Sequence, residues 1–553
     1  MALRKSFHFR PWYLALGLAA CDMTPSPGAS LAIVNARVWT GDSVRPWADA
    51  IAVSGDTILA VGSLAEIRKL GAARVVDAKG GMVTPGFIDS HTHFVTGGFR
   101  LSSVQLRDAK TPEEFVRRIR EFAATVPAGT WITGGDWDHE AWGGTLPTRQ
   151  WLDSVTPDHP VWVNRLDGHM ALANGAALRA AGVSSATRDV VGGAIVRGNG
   201  GEPTGILKDN AQSLVDRVVP EPPPVLQDRA LDTAMTYVAS NGVTATHNMG
   251  TWSDVAIFER ARAADRLKTR IYAVVPLSTW EQLRDTIEAR GVGDDWLRIG
   301  GLKGFVDGSL GSHTAAMLEP FTDAPNDRGL FVNTPEDLYK WTSGADKAGL
   351  HVIIHAIGDR AIRMLLDTYE RVEKENGPRD RRFRMEHAQH IAPADIPRFA
   401  QLGVIASMQP YHAIDDGRWA DKVIGPERAK GTYAFRSLLD ANATLAFGSD
   451  WFVAPPTPLE GIYAAVTRRT FDDRNPGGWV PEQKITVEEA LRAYTAGSSY
   501  ASFDEERRGS LMRGKLADIV LIDRDLTTIA PESIRDAHIT MTVVGGRIVF
   551  ERQ

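Results

Sequence analysis

Short apolar runs recur through the middle of this 553-residue chain. The first ends in Gly81-Met82-Val83-Thr84 and leads through the phrase PGFIDSHTH to His93. The next three are Val243 to His247, Arg270 to Val275 and Leu297 to Val306. Four more follow at His351 to His355, Phe383 to His387, Val404 to Gln409 and Thr444 to Asp450. Short continuous apolar runs read as buried strands, and the intervals mostly carry helical spacing, as in Ala361 to Glu373. Eight strand–helix repeats predict an α/β protein with a (β/α)8 TIM barrel. One interval is too long for a single connection. Residues 94–231 predict a large insertion after the first barrel strand, over the C-terminal mouth. It holds Trp131, Trp137, Trp142, Trp151 and Trp162, which suit either a substrate wall or the packing of a lid.

Both chain ends have a different rhythm. Leu31 to Trp39 and Ala50 to Val61 alternate as β-strands do, with a turn at Gly55-Asp56, and Arg74 to Asp77 adds another. Ala517 to Asp523 and Ile539 to Phe550, turning at Gly545-Gly546, repeat the pattern. Strands at both ends around a long α/β segment predict one small β-domain built from the two termini. Thr486 to Thr495 has helical spacing, with Thr486 and Glu489 placed as a capping box.

The first residues read as an address. Arg4, Lys5 and Arg10 precede the apolar stretch Trp12 to Ala20, which is far short of the ~20 residues that span a bilayer. Residues 1–20 therefore read as a signal peptide. Leu18-Ala19-Ala20-Cys21 resembles the lipobox of bacterial lipoproteins, in which the cysteine is acylated. Cys21 is the only cysteine, so an internal disulfide is excluded and the thiol is free for a lipid anchor. Residues 21–30 form a tether, and Asp22 resembles an inner-membrane retention signal. The expected location is the periplasmic face of the inner membrane of a Gram-negative bacterium. A charged fraction of 24%, a hydrophobic fraction of 43% and a net charge of −6 are ordinary for a soluble enzyme and give no reason to expect a nucleic-acid partner.

Chemistry gathers at the ends of the predicted strands, where (β/α)8 proteins carry their sites. His91 and His93 are two apart and share a strand face, which makes half of a metal site. In HVIIHAIGD, His351 and His355 share a face but lie roughly 13 Å apart, so only His355 reaches the mouth. In FRMEHAQHI, His387 ends the apolar run, while His390 points elsewhere as a rim or supporting residue. Asp450 ends the last strand in ATLAFGSDW, and a carboxylate there needs a partner such as a metal. Lys303 is either an ion partner of Asp307 or part of the site, although an ammonium cannot itself bind a metal.

The phrase PGFIDSHTH resembles the first barrel strand of the amidohydrolase superfamily. LKGFVDGSLGSHTA, HAIGDRA and EHAQH are most similar to its YtcJ-type branch, which includes N-substituted formamide deformylases. The likeness runs over about residues 31–550. It implies a β-sandwich made of residues 31–82 and 476–553 beside a barrel of residues 83–475. It also implies two divalent metals, zinc by ligand type, with carboxylated Lys303 bridging them. His91, His93 and Asp450 would hold one metal, and His355 and His387 the other. Asp450 would also be the catalytic proton acceptor. The implied reaction is hydrolysis of a non-peptide C–N bond in a small-molecule amide or N-acyl or N-formyl amine. Ester or lactone hydrolysis on the same centre and a non-catalytic binding lipoprotein are the alternatives, and a homodimer is one option for its assembly.

Substrate contacts are expected from Asp136 and Trp137 in GGDWD, His169 and Asn174 in RLDGHMALANGAAL, and His313 after the Lys303 strand. His247 ends the second strand behind the ligands. His139, His159, His412 and His538 have no neighbours in sequence that argue for a role.

Overall fold

The structure is a computed structural model that describes residues 28–553. The signal, lipobox and Cys21 lie outside the described residues. Among those described, no helix is long and apolar enough to cross a membrane.

Eight parallel strands form the central sheet: β1 (Phe87–Thr92), β2 (Val243–Met249), β3 (Arg270–Pro276), β4 (Leu297–Phe305), β5 (His351–Ala356), β6 (Arg384–His387), β7 (Ile405–Met408) and β8 (Leu445–Phe447). Each pairs in parallel with the next. A parallel bridge between Thr92 and Trp451 joins the two ends, and Asp450 N–H donates to the His91 carbonyl at 2.7 Å. The sheet is thus a (β/α)8 barrel, and its strands are buried on both faces, with apolar side chains against the helices and polar ones such as Arg384 and Glu386 in the interior. The last strand stops at Phe447 rather than running to Asp450. There the chain turns, with Asp450 in the left-handed region (φ 60°), so that its carboxylate points back toward β1.

The two termini build one β-domain. Leu31–Val34, Ala50–Ser54, Thr57–Gly62 and Arg74–Asp77 make one sheet of it. The other sheet mixes Arg37–Trp39, Trp47–Ala48 and Met82–Pro85 with Ile519–Ile522, Ile539–Val544 and Arg547–Glu551. Ile33, Val53, Val83, Ile519, Leu521 and Val543 share the core between the sheets. The strand Met82–Pro85 belongs to this domain and leads into β1 through Gly86. The C-terminal share starts later than residue 476. Helix Val487–Arg492, with its Thr486–Glu489 capping box, and Tyr494, packed on Phe87 and Phe447, belong to the barrel core.

Between β1 and β2 the insertion forms its own six-stranded mixed sheet, from Val104–Gln105 to Pro203–Asp209. The helix Pro224–Ser240 that follows packs on the barrel, so the insertion ends before it rather than at residue 231. Most of its tryptophans pack the insertion itself. Phe115 holds Trp137, Trp142 and Trp151 around it, while Trp131 and Trp162 border an outer cleft.

Two sequence phrases dock the insertion on the barrel. Asp167 accepts from the Ser309 and Ser312 hydroxyls of the loop after β4, and Lys208 Nζ donates to the Ser312 carbonyl at 2.7 Å. Arg165 is fully buried against the same loop, paired with Asp167 at 2.6 Å and facing Asp138 at 3.5 Å. A Cβ at Gly311 would stand 2.4 Å from both terminal nitrogens of this pinned guanidinium. Gly311→Ala should therefore destabilise the protein by about 1–3 kcal/mol, read as a lower urea midpoint. An unchanged midpoint would show that Arg165 yields freely.

Candidate metal centre

The mouth of the barrel collects histidines and one carboxylate around a single point. His91 Nε2 stands 3.4 Å and His93 Nε2 3.2 Å from Asp450 Oδ1. Lys303 Nζ lies 3.2 Å from His91 Nε2. The rings of His91, His387 and His355 follow one another at 4.9 and 4.5 Å, and His169 lies 5.0 Å beyond His355. All six predicted ligands thus reach one place. His351, at the far end of β5, instead bonds Tyr272 and the Arg382 carbonyl.

The hydrogen bonds around these rings fix which nitrogen carries the proton. His91 Nδ1 is 2.5 Å from Glu386, His387 Nδ1 is 2.8 Å from Gln409 Oε1, and His355 Nε2 is 3.0 Å from the Gly308 carbonyl. Each partner is an acceptor, so the proton sits on the bonded nitrogen and the other carries the lone pair, although His387 Nδ1 also lies 4.0 Å from Asp450 Oδ2. Burial holds His91, His355 and His387 below the usual histidine range, which keeps those lone pairs free. Burial pushes the Asp450 carboxyl up, but the net direction is downward, below the usual carboxylate range, with His91 and His93 beside it. Asp450 Oδ1 is nevertheless buried without a hydrogen-bond partner, as is Nε2 of His412. Convergent lone pairs and an orphaned anionic oxygen fit a divalent cation, and His91, His93 and Asp450 form one group of suitable size. Burial lowers Lys303 to about 8, so a share of its amine is neutral near physiological pH.

Several supporting residues were not legible in the sequence. Glu386, fully buried, takes Arg384 Nε at 3.0 Å and the Ser407 hydroxyl at 2.9 Å besides His91. Arg384 continues to His247 Nδ1 at 2.9 Å, which links His247 through Glu386 to the back of His91. Asp307 does not pair with Lys303. It accepts from the backbone N–H groups of Ala316, Ile357 and Gly358 and so ties the loops after β4 and β5 together. His412, on helix Pro410–Asp416 just after β7, faces the centre and forms a second group with His387 and Asp450. Its only sequence signal was its place just beyond a strand end.

The predicted substrate contacts divide. His169 lines the cavity, with Nδ1 on Asp209 at 2.7 Å. Trp137 does not: it is fully buried in the insertion core, with its indole N–H on the Val163 carbonyl. Asn174 is a helix cap, accepting from Val161 N and Ala177 N, and its amide nitrogen is spent on Thr156 and His159. Asp136 is held by Asn164 at 2.7 Å and faces Arg100, away from the cavity wall. His313 pairs with Asp323 at 3.0 Å and packs on Phe321, also outside that wall. The tryptophan on the wall is Trp419, beside Asp416, whose carboxyl burial pushes up to about 7.

This inner cavity has a volume of about 40 Å³, little more than one water's share. A cleft of about 630 Å³ lies on the other side of Phe452, whose ring is 5.6 Å from that of His93. Its walls include Phe99, Trp131 and Trp162. Because Gln409 orients His387, Gln409→Leu should lower metal affinity about 10–100-fold by chelator competition while the fold persists. Wild-type affinity in that variant would refute the orienting role.

Residues 74–550 match the amidohydrolase family. The chain is 42% identical to Protein LONG AFTER FAR-RED 3 of Arabidopsis thaliana, over 96% of this chain and 93% of that one. It is 29% identical to the N-substituted formamide deformylase of Arthrobacter pascens, covering 94% and 98%. Among solved structures, an uncharacterized metal-dependent hydrolase from Pyrococcus horikoshii OT3 superposes with a TM-score of 0.73 at 28% identity, covering 91% of this chain and 99% of that one. With barrel, flanking β-domain and histidine–aspartate centre in place, the chain belongs to the amidohydrolase family of metal-dependent hydrolases.

Proposed function

We propose that this protein hydrolyses a non-peptide C–N bond of a small amide, an N-acyl or N-formyl amine, at a centre of two divalent metals. The observation that carries the reading is the orphaned Asp450 Oδ1 at the focus of oriented imidazoles. His91, His93 and Asp450 would hold one metal and His355 and His387 the other, with Lys303, carboxylated on Nζ, between them. Mixed imidazole and carboxylate ligation suits zinc. When bound, the two cations would make a water acidic and polarise the substrate carbonyl.

The chain's own groups do the rest. Asp450 accepts the proton of the attacking water and returns it to the departing nitrogen, a general acid–base role that suits its ionised state. The low pKa of Lys303 favours carboxylation, because the neutral amine is the form that attacks carbon dioxide. The aromatic cleft beyond Phe452 suits an apolar arm on the substrate. The similarity to a formamide deformylase supports a formyl or short acyl group at the scissile bond. The Leu18–Cys21 lipobox supports export and anchoring by a lipid on Cys21.

Protein beginning after Cys21 and purified without chelator should contain about two metals per chain by elemental analysis, falling on Lys303→Ala. One metal per chain regardless of Lys303 would replace the binuclear reading with a mononuclear one. Asp450→Asn should keep part of the metal and lose most turnover of N-formyl and N-acetyl amines, on the order of 10²-fold or more. Unchanged kcat in the metal-replete variant would end the proton-transfer role.

A further inference from the structure

His412 faces the same cavity and has no part in the proposed ligand set. It stands in the first turn of the helix after β7, fixed to the barrel by the strand before it. Its Nε2 is buried and lacks a hydrogen-bond partner, and one of its ring nitrogens lies within 4.8 Å of a ligating atom of both His387 and Asp450. A buried polar nitrogen left unpaired is unfavourable unless something that binds there completes it. On the amide-hydrolase reading, with Asp450 as proton acceptor, the carbonyl carbon meets the attacking water in the cavity lined by His387 and Asp450. An oxygen on that carbon is therefore within reach of His412.

We propose that His412 is a further catalytic residue, donating a hydrogen bond from Nε2 to the substrate carbonyl oxygen as negative charge collects on it. The proposal rests on the amide-hydrolase reading above. In the step it serves, the water oxygen forms a bond to the carbonyl carbon and the C=O electron pair moves onto the carbonyl oxygen. The water's proton goes to Asp450, and His412 keeps its own. When the C–N bond breaks, the pair returns to re-form C=O, the nitrogen leaves with the bonding pair, and the proton on Asp450 passes to it. Donors placed in advance where charge develops stabilise the transition state more than the ground state. His412 supplies such a donor from the helix after β7, on the wall of the same cavity.

The test uses metal-loaded wild type, His412→Ala and His412→Asn, with three readouts. These are metal content, binding of methylphosphonate as a tetrahedral oxyanion probe, and turnover of N-formyl and N-acetyl amides. The expected result is unchanged metal content, with methylphosphonate bound about tenfold more weakly by His412→Ala and partly recovered by His412→Asn. The kcat of His412→Ala should fall about 10²–10³-fold, with little change in KM. Loss of metal in His412→Ala would make the residue a ligand and overturn the proposal. Equal methylphosphonate affinity in all three proteins, or a kcat within about threefold of wild type, would overturn it as well. A wild type that binds metal but cleaves no amide removes the amide reading alone, since methylphosphonate still decides for or against His412.

Discussion

The closure of the barrel between β1 and the end of β8 is the constraint on which the site depends. The Asp450 N–H to His91 carbonyl bond and the Thr92–Trp451 bridge complete the sheet. The same contact sets the two histidines of β1 against the carboxylate of Asp450. Gly448 allows the approach, since a Cβ there would lie 2.6 Å from the His91 nitrogen. Asp450 then has to take a left-handed backbone, as does His387 (φ 69°) across the cavity. Conformations of this kind cost of order 1–3 kcal/mol for a residue other than glycine and persist only where the surroundings enforce them. Here Asp89 does so, accepting from Ser449 N at 2.9 Å, from the Ser449 hydroxyl at 2.6 Å and from His91 N at 3.2 Å.

Below the site the barrel interior is polar rather than oily. Arg384 and Glu386 are both fully buried, and an ion pair in that setting is no source of stability by itself. Its value is in orientation. Glu386 grips His91 from behind, Ser407 holds Glu386, and Arg384 reaches the Ser90 carbonyl at 2.7 Å, so three strands are locked to one imidazole of the centre. The barrel spends stability on this network and recovers it in the apolar shell between strands and helices.

Much of this arrangement was readable because strand ends announce themselves. An apolar run that stops at a histidine or aspartate places that side chain at the mouth, and His93, His355, His387 and Asp450 all follow that rule. What sequence spacing could not reveal were contacts between distant positions. Glu386 sits beside a histidine of β6 but serves His91, 295 residues away, and His412 gains its neighbours only when β6 and β8 flank β7. Trp137 and Asn174 misled for another reason. Their phrases are rich in groups that suit ligands, but the insertion needs a core and helix caps of its own, and those needs take both side chains. The β-domain boundary shifted because Tyr494 and its helix have the apolar pattern of either domain, and only packing assigns them to the barrel.

The strand Met82–Pro85 lies between Arg37–Trp39 and Ile519–Ile522 and leads directly into β1. A ribosome therefore releases the opening strand of the barrel long before its last partners exist. Asp89 waits 360 residues for Ser449, and Val83 longer still for Leu521. At ordinary elongation rates of about 5–20 residues per second, that first interval lasts on the order of 20–70 s. During that time β1 gains β2 on one side but nothing on the other, Met82–Pro85 has Arg37–Trp39 but not Ile519–Ile522, and the insertion, whose sheet is local in sequence, can complete itself. The metal centre is thus among the last features of the molecule to form during synthesis.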